Sequence, residues 1–140
     1  MLRIEVTEKL SACDAIVHAG DIGDLQIIER LREIAPVHAV HGNTDKDWCR
    51  RSFPKCDVTM ILEMPFCVIH DLDSLDLDPG AAGIDVVVSG HTHEPEMFEQ
   101  NGVLFINPGS AGPRRFDYPI SMALLHLNNG KPKTEFITLG

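Results

Sequence analysis

The 140-residue chain is 44% hydrophobic and carries 21 acidic and 12 basic side chains, which gives a formal net charge of −9. This composition predicts one globular domain, residues 1–140, and its negative charge argues against casual binding to nucleic acid or anionic lipid. The sequence contains neither the roughly 18-residue apolar run of a membrane span nor the apolar core of a signal peptide. We therefore expect a soluble, cytoplasmic protein.

The first half of the chain predicts alternating helices and strands. Residues 3–11 resemble a short helix, "CDAIVHAGDIGD" a strand ending at Gly20-Asp21, "LQIIERLREIAP" a helix stopping before Pro36, and "VHAVHGNTD" a second strand with Gly42-Asn43 at its exit. This order favours a parallel α/β sheet.

The second half is richer in strands. "VTMILEMP" and "FCVIHD" predict neighbouring strands, residues 74–83 a short helix or loop, and residues 84–89 a buried strand. "EMFEQNGVLFIN" and "MALLHLNNGKPKTEFITL" each contain two apolar runs joined across Asn-Gly, which is a strong hairpin signal. The expected architecture is a mixed sheet.

Polar side chains that can bind metal ions follow four of the predicted strands. They are Asp21, Asn43, His70 and the pair His91 and His93. Parallel strands end at the same edge of a sheet, and residues i and i+2 of an extended chain point to one side, so these groups can converge. Each also has an ordinary explanation, as a helix cap, a turn residue or a hydrogen-bonded structural histidine.

This mixture of ligand types suits a pair of divalent metal ions. A carboxylate can bridge two ions, imidazoles suit manganese, iron, nickel or zinc, and an amide oxygen completes a shell without adding charge. Two ions about 3.5–4 Å apart can clamp a phosphoryl group and activate water. Bound metal would thus make an acidic protein compatible with a phosphate substrate.

The segments "GDIG", "GNTD", "IHD", "SGHTH" and "INPGS", in that order, resemble the calcineurin-like metallophosphoesterases, in particular the small YfcE and MJ-type phosphodiesterases. The resemblance implies an α/β fold, an αββα sandwich of mixed sheets. It also implies that Asp21 bridges both metals, that Asn43, His70 and His91 bind the second metal, and that His93 binds the first. Asp21, Asn43 and His91 would be the catalytic residues.

The function implied is hydrolysis of a phosphodiester by a metal-activated hydroxide at this dinuclear site. Two divalent ions are expected, with Mn²⁺ first and Ni²⁺, Fe²⁺ or Zn²⁺ as alternatives. The expected partner is a small phosphodiester or phosphomonoester, with no specific nucleic-acid or membrane binding, and a homo-oligomer is left open.

Three further residues could contact substrate. Gly109 belongs to the "NPGS" loop that borders the site in the resembling family, although the loop also reads as a plain turn. Arg114 and Arg115 follow it, and guanidinium groups suit phosphate oxygens, although a surface arginine pair is ordinary.

The sequence departs from the family at its start. Family members begin with a strand ending in Asp-x-His, which supplies two ligands to the first metal, and nothing before residue 21 corresponds. The first metal would keep only Asp21 and His93. We expect an N-terminally truncated domain whose complete form is active, and the alternative is a non-catalytic scaffold, like the retromer subunit of this fold, or an inactive fragment.

Several other residues are expected to be structural. The four cysteines form no C-x-x-C pair, so reduced thiols are expected. Cys67 lies three residues before His70 and could form half of a zinc site, but its apolar surroundings favour core packing. Asp45 is expected to be structural, and the acidic run "IHDLDSLDLD" is expected to be a loop whose leucines pack inward, because it fails the calcium-loop spacing.

Overall fold

The computed structural model describes residues 8, 10–20, 25–42, 45, 51–92, 94–109, 120–128 and 131–139. Nine strands and one α-helix have both of their ends in this part of the chain. They are β1 (Ile16–His18), α1 (Leu25–Arg32), β2 (Val37–Ala39), β3 (Cys56–Ile61), β4 (Met64–Ile69), β5 (Val86–Val88), β6 (Glu96–Gln100), β7 (Val103–Asn107), β8 (Ile120–Asn128) and β9 (Lys131–Leu139). The predicted order of elements over these residues is confirmed. Of the predicted 3–11 helix, residues 8 and 10 are helical and 3–7 and 9 lie outside the described residues.

Helix α1 forms because its apolar residues recur at helical spacing and face the β1–β2 pair. Ile28 is fully buried and packs with Ala39, while Leu31 packs with Ile16 and Ala35. Pro36 follows the helix and cannot continue its hydrogen bonding. The helix therefore covers the outer side of the parallel pair β1–β2.

The central sheet has five strands in the order β3-β4-β5-β7-β6. Strands β4, β5 and β7 run parallel, and the hairpin partners β3 and β6 lie antiparallel at the two edges. The remaining strands form two pairs, parallel β1–β2 and antiparallel β8–β9. The mixed α/β fold class is thus confirmed.

The main core lies between the central sheet and the two smaller pairs. Alternate residues of the sheet point inward, and those fully or nearly buried include Phe66, Val68 and Val86. Val17 of β1 and Leu125 of β8 pack against them. The two-residue periodicity of the strands therefore produces one buried layer between sheets.

The other face of the central sheet packs against the segment that follows β4. Within the part of the chain that the structure describes, a short 3₁₀ turn (Leu72–Ser74) and the loop after it cover this face. Leu72, Leu75 and Leu77 pack there against buried Cys67, Ile69 and Val87, among others. The inward packing of these leucines is as predicted. No helix among the described residues is long and apolar enough to cross a membrane.

Cys67 should make the stability of this face depend on pH. Burial and the neighbouring Cys56 thiol, 3.5 Å away, raise the pKa of Cys67 to about 12. The folded chain keeps a proton that the unfolded chain releases above about pH 8.5, so stability is complete below that pH and falls as the pH rises towards 12.

We therefore expect the destabilisation caused by Cys67→Ala, measured by urea unfolding, to shrink between pH 8 and pH 10.5. Val87→Ala removes bulk from the same face without a titratable group. Its cost should stay constant over this range. A Cys67→Ala cost that is equally constant would contradict the prediction.

Candidate functional site

Four strand ends meet around the imidazole of His70. A Cβ built on Gly20, beyond β1, would lie 2.6 Å from His70 Nδ1 and 2.9 Å from the Cα of Gly42, beyond β2. A Cβ on Gly90, beyond β5, would lie 3.6 Å from the same His70 nitrogen. Glycine is required where backbones approach this closely. The predicted convergence of these strand ends is therefore present.

The His70 ring is held in one orientation. The side chain is buried, and Nδ1 lies 2.7 Å from the Ala19 carbonyl oxygen, which can only accept a hydrogen bond. Nδ1 therefore carries the proton, and in the neutral ring Nε2 presents a lone pair. A backbone acceptor on one ring nitrogen is the usual arrangement behind a metal-binding histidine.

The lone pair of His70 faces a second imidazole. His70 Nε2 and His91 Nδ1 are 3.3 Å apart, and the two rings meet edge to face at 80°. His91 is exposed, so a ligand can reach the pair. Two nitrogens that bind one ion with bonds of about 2.0–2.1 Å are themselves about 2.9–3.4 Å apart. The separation of the two nitrogens, which can also form a hydrogen bond with each other, is therefore compatible with binding of one shared ion.

The His91 backbone adopts a conformation that is rare for a residue with a side chain. Its φ is +70°, and the Thr92 N–H donates to the Gly90 carbonyl at 2.8 Å, which makes His91 the centre of a γ-turn. Such backbones cost about 1–3 kcal/mol and persist where surrounding structure holds them. The turn lifts the His91 ring from the end of β5 towards His70.

Asn107 holds both sides of this turn. Its Nδ2 donates to the Gly90 carbonyl at 2.9 Å and lies 3.0 Å from Thr92 Oγ1, while its Oδ1 accepts the Gly109 N–H at 3.0 Å. Asn107 begins the "NPGS" loop, in which the sequence predicts a role for Gly109 alone. The signal in the sequence was the place of Asn107 directly after the apolar run "VLFI", the pattern seen at the other strand ends.

Gly109 and Asp45 shape two of the surrounding loops. Gly109 has φ +82°, which suits glycine, and it reaches the His91 turn through Asn107. Asp45 is buried and its carboxylate accepts the Gly42 N–H at 2.6 Å. This bond supports the structural role predicted for Asp45. Substrate contact by Gly109 stays a prediction.

The other predicted site residues, Asp21, Asn43, His93, Arg114 and Arg115, lie outside the described residues. Among the residues that are described, no three of His, Cys, Asp or Glu form a group that could hold a metal ion. Cys67 does not join His70, because it packs on the outer face of the sheet beside Cys56. The core-packing interpretation of Cys67 is thus confirmed.

Comparison with known proteins identifies the family. The model of the calcineurin-like phosphoesterase superfamily domain matches residues 2–130. The chain therefore belongs to this superfamily of metal-binding phosphoester hydrolases. The resemblance of the five motifs is confirmed.

Two relatives are probable metallophosphoesterases of archaea. That of Methanocaldococcus jannaschii is 34% identical over 113 residues, which cover 75% of this chain and 57% of that protein. That of Methanothermobacter thermautotrophicus is 32% identical over 137 residues, which cover 91% of this chain and 77% of that protein. The match thus spans little more than half of the first relative.

Solved structures share the fold. A predicted phosphoesterase of Streptococcus pneumoniae has a TM-score of 0.74 at 25% identity, with 96% of this chain and 79% of that chain covered. Vps29 of Entamoeba histolytica in complex with Zn²⁺ has a TM-score of 0.74 at 22% identity over 99% and 90% of the two chains. A structure described as a novel archaeal phosphodiesterase has a TM-score of 0.71 at 23% identity over 97% and 88%.

Proposed function

We propose that this chain carries the site of a metal-dependent phosphodiesterase with a dinuclear metal centre. The observation that carries the proposal is the 3.3 Å approach of His70 Nε2 to His91 Nδ1 at the meeting point of four strand ends. Core packing does not explain why the two imidazoles meet, since His91 is exposed. Their arrangement suits a shared ligand, and membership of the superfamily supports a metal ion in that role.

The residues proposed to bind the ions are those expected from the sequence. His70 and His91 would share one ion with Asp21 and Asn43, and Asp21 and His93 would supply part of the ligand set of the other. When bound, two divalent ions neutralise phosphoryl charge and lower the pKa of water. Mn²⁺ is the proposed metal, with Ni²⁺, Fe²⁺ and Zn²⁺ as alternatives, because ligand identity does not set metal availability.

The remaining tasks fall to the protein itself. The Ala19 carbonyl keeps the His70 proton on Nδ1, so the lone pair of Nε2 stays available to bind a metal ion. Gly20, Gly42 and Gly90 allow the strand ends to approach His70 closely. Gly109, Arg114 and Arg115 are proposed to bind its phosphate oxygens. A cytoplasmic location stays a prediction from the sequence.

Metal removal and replacement provide the first test. We expect the complete domain to hydrolyse bis(p-nitrophenyl) phosphate in Mn²⁺, to lose this activity in excess EDTA, and to regain it when Mn²⁺ is restored. The monoester p-nitrophenyl phosphate, assayed in parallel, reports the preference between ester classes. Equal turnover with and without EDTA would contradict the proposal.

A non-catalytic scaffold is the second candidate. The edge strand β3 and its turn expose large apolar side chains, with exposed fractions of 57% for Val58, 60% for Met60 and 57% for Leu62. Apolar groups on a sheet edge can serve as a contact surface. A scaffold would bind metal at most, so absence of turnover of both esters in Mn²⁺, Ni²⁺, Fe²⁺ and Zn²⁺ would favour it.

A further inference from the structure

We propose that Asn107 is a positioning residue that holds His91 against His70. The inference rests on the proposed function for the identity of the ligand that His91 binds. The position of the His91 ring can be tested without metal. Asn107 donates hydrogen bonds to Gly90 and Thr92, the two residues that flank His91. It would therefore act on His91 through the backbone on both sides.

The amide of Asn107 is matched to this task. Its Oδ1 accepts from the Gly109 N–H, so its Nδ2 faces the Gly90 carbonyl, which can only accept a hydrogen bond. Only 7% of Asn107 is exposed, so water replaces these bonds poorly if the side chain is removed. The orientation of the amide is thus set by three partners on three residues.

The central sheet also fixes the position of Asn107. It ends β7, and the Ser89 N–H donates to the Ile106 carbonyl at 2.9 Å, which extends the pairing of β7 with β5 up to the residue before the γ-turn. The Gly90 N–H donates in turn to the His70 carbonyl at 2.9 Å. The His91 turn is therefore fixed to both neighbouring strands, to β4 through backbone and to β7 through Asn107.

The Gly90 carbonyl shows why Asn107 matters for His91 in particular. This oxygen accepts the Thr92 N–H that closes the γ-turn and also the Asn107 amide. A second donor fixes the direction of this carbonyl, and the bond to Thr92 Oγ1 fixes the far side of the turn. Without them, the rare positive φ of His91 would be free to relax to an ordinary conformation.

The test measures the approach of the two rings in metal-free protein. The ring centroids of His70 and His91 are 5.2 Å apart, so nuclear Overhauser effects between their ring protons should be visible by NMR in EDTA. We expect this signal to be lost in Asn107→Ala and weakened in Thr92→Val. It should be retained in Thr92→Ser, which keeps the hydroxyl, and in Thr59→Val, which makes the same change on β3.

A second readout is Mn²⁺ affinity by titration calorimetry. We expect it to fall about 10–100-fold in Asn107→Ala, which is the usual effect of removing a group that orients a ligand. Thr92→Ser should bind Mn²⁺ like the unsubstituted chain, whereas a purely structural role would lower thermal stability and leave the affinity of the folded protein unchanged.

The outcomes separate this inference from the proposed function. The inference would be overturned if folded Asn107→Ala kept the contact between the His70 and His91 rings at full intensity. It would also be overturned if the unsubstituted chain showed no such contact. If Asn107→Ala does not fold, full ring contact in Thr92→Val would overturn it. If the chain bound no Mn²⁺ but its ring contact still depended on Asn107, the inference would be supported and only the proposed metal site would be refuted.

Discussion

Replacement of His91 by alanine is expected to abolish Mn²⁺-dependent hydrolysis of bis(p-nitrophenyl) phosphate. His91 Nδ1 lies 3.3 Å from His70 Nε2, so its loss would leave His70 without its neighbouring ligand. Removal of a group that only orients a ligand costs about 10–100-fold in metal affinity or activity, so removal of the ligand itself should cost at least about 100-fold. The measurement is turnover over a range of Mn²⁺ concentrations, which separates weak binding from lost activity.

Fold and function can be separated in this experiment. His91 is exposed, so loss of the ring removes little packing, but alanine at φ +70° keeps the backbone strain. His91→Gly removes both the ring and the strain, and it should lose activity as completely while unfolding at no lower temperature. His126→Ala is the matched control, because His126 is exposed on β8 and contacts Glu135 of β9. Unchanged turnover in His91→Gly would refute the proposed site.

The convergence at His70 could be predicted from the sequence because it depends on topology. An apolar run followed by glycine and a polar residue indicates a strand end, and parallel strands end at one edge. The bonds that orient the site depend instead on distant parts of the chain. His70 and Ala19 are 51 residues apart, and Asn107 and Gly90 are 17 apart. Their pairing requires the register of the sheet, which local patterns do not provide.

The turn between β3 and β4 shows a second limit. Leu62 and Glu63 both have positive φ, at 49° and 69°, where two-residue hairpins normally use asparagine and glycine. Two adjacent strands could be predicted, but not so tight a turn through these residues. The flanking Ile61 and Met64 are buried in the main core, so packing on both sides of the turn outweighs the local preference.

The second large effect is expected at Gly20, where alanine should disrupt the meeting point of the strands. Gly20 has φ +105°, and its added Cβ would lie 2.6 Å from His70 Nδ1 and 2.9 Å from the Gly42 backbone nitrogen. The Gly42 backbone cannot swing aside like the end of a flexible side chain. Backbone strain and overpacking together should lower the free energy of unfolding by about 3–5 kcal/mol.

Gly83→Ala is the control for backbone strain, so the difference between the two variants gives the cost of the close approach. It also has positive φ, at +77°, but a Cβ there would meet nothing within 4 Å. Gly83→Ala should therefore cost only the strain of a left-handed backbone, about 1–2 kcal/mol, in the same urea unfolding measurement. The excess in Gly20→Ala reports how tightly the ends of β1, β2 and β4 are packed together. Equal costs for the two variants would mean that the loops around His70 can separate, and the rigid placement of its imidazole would then be wrong.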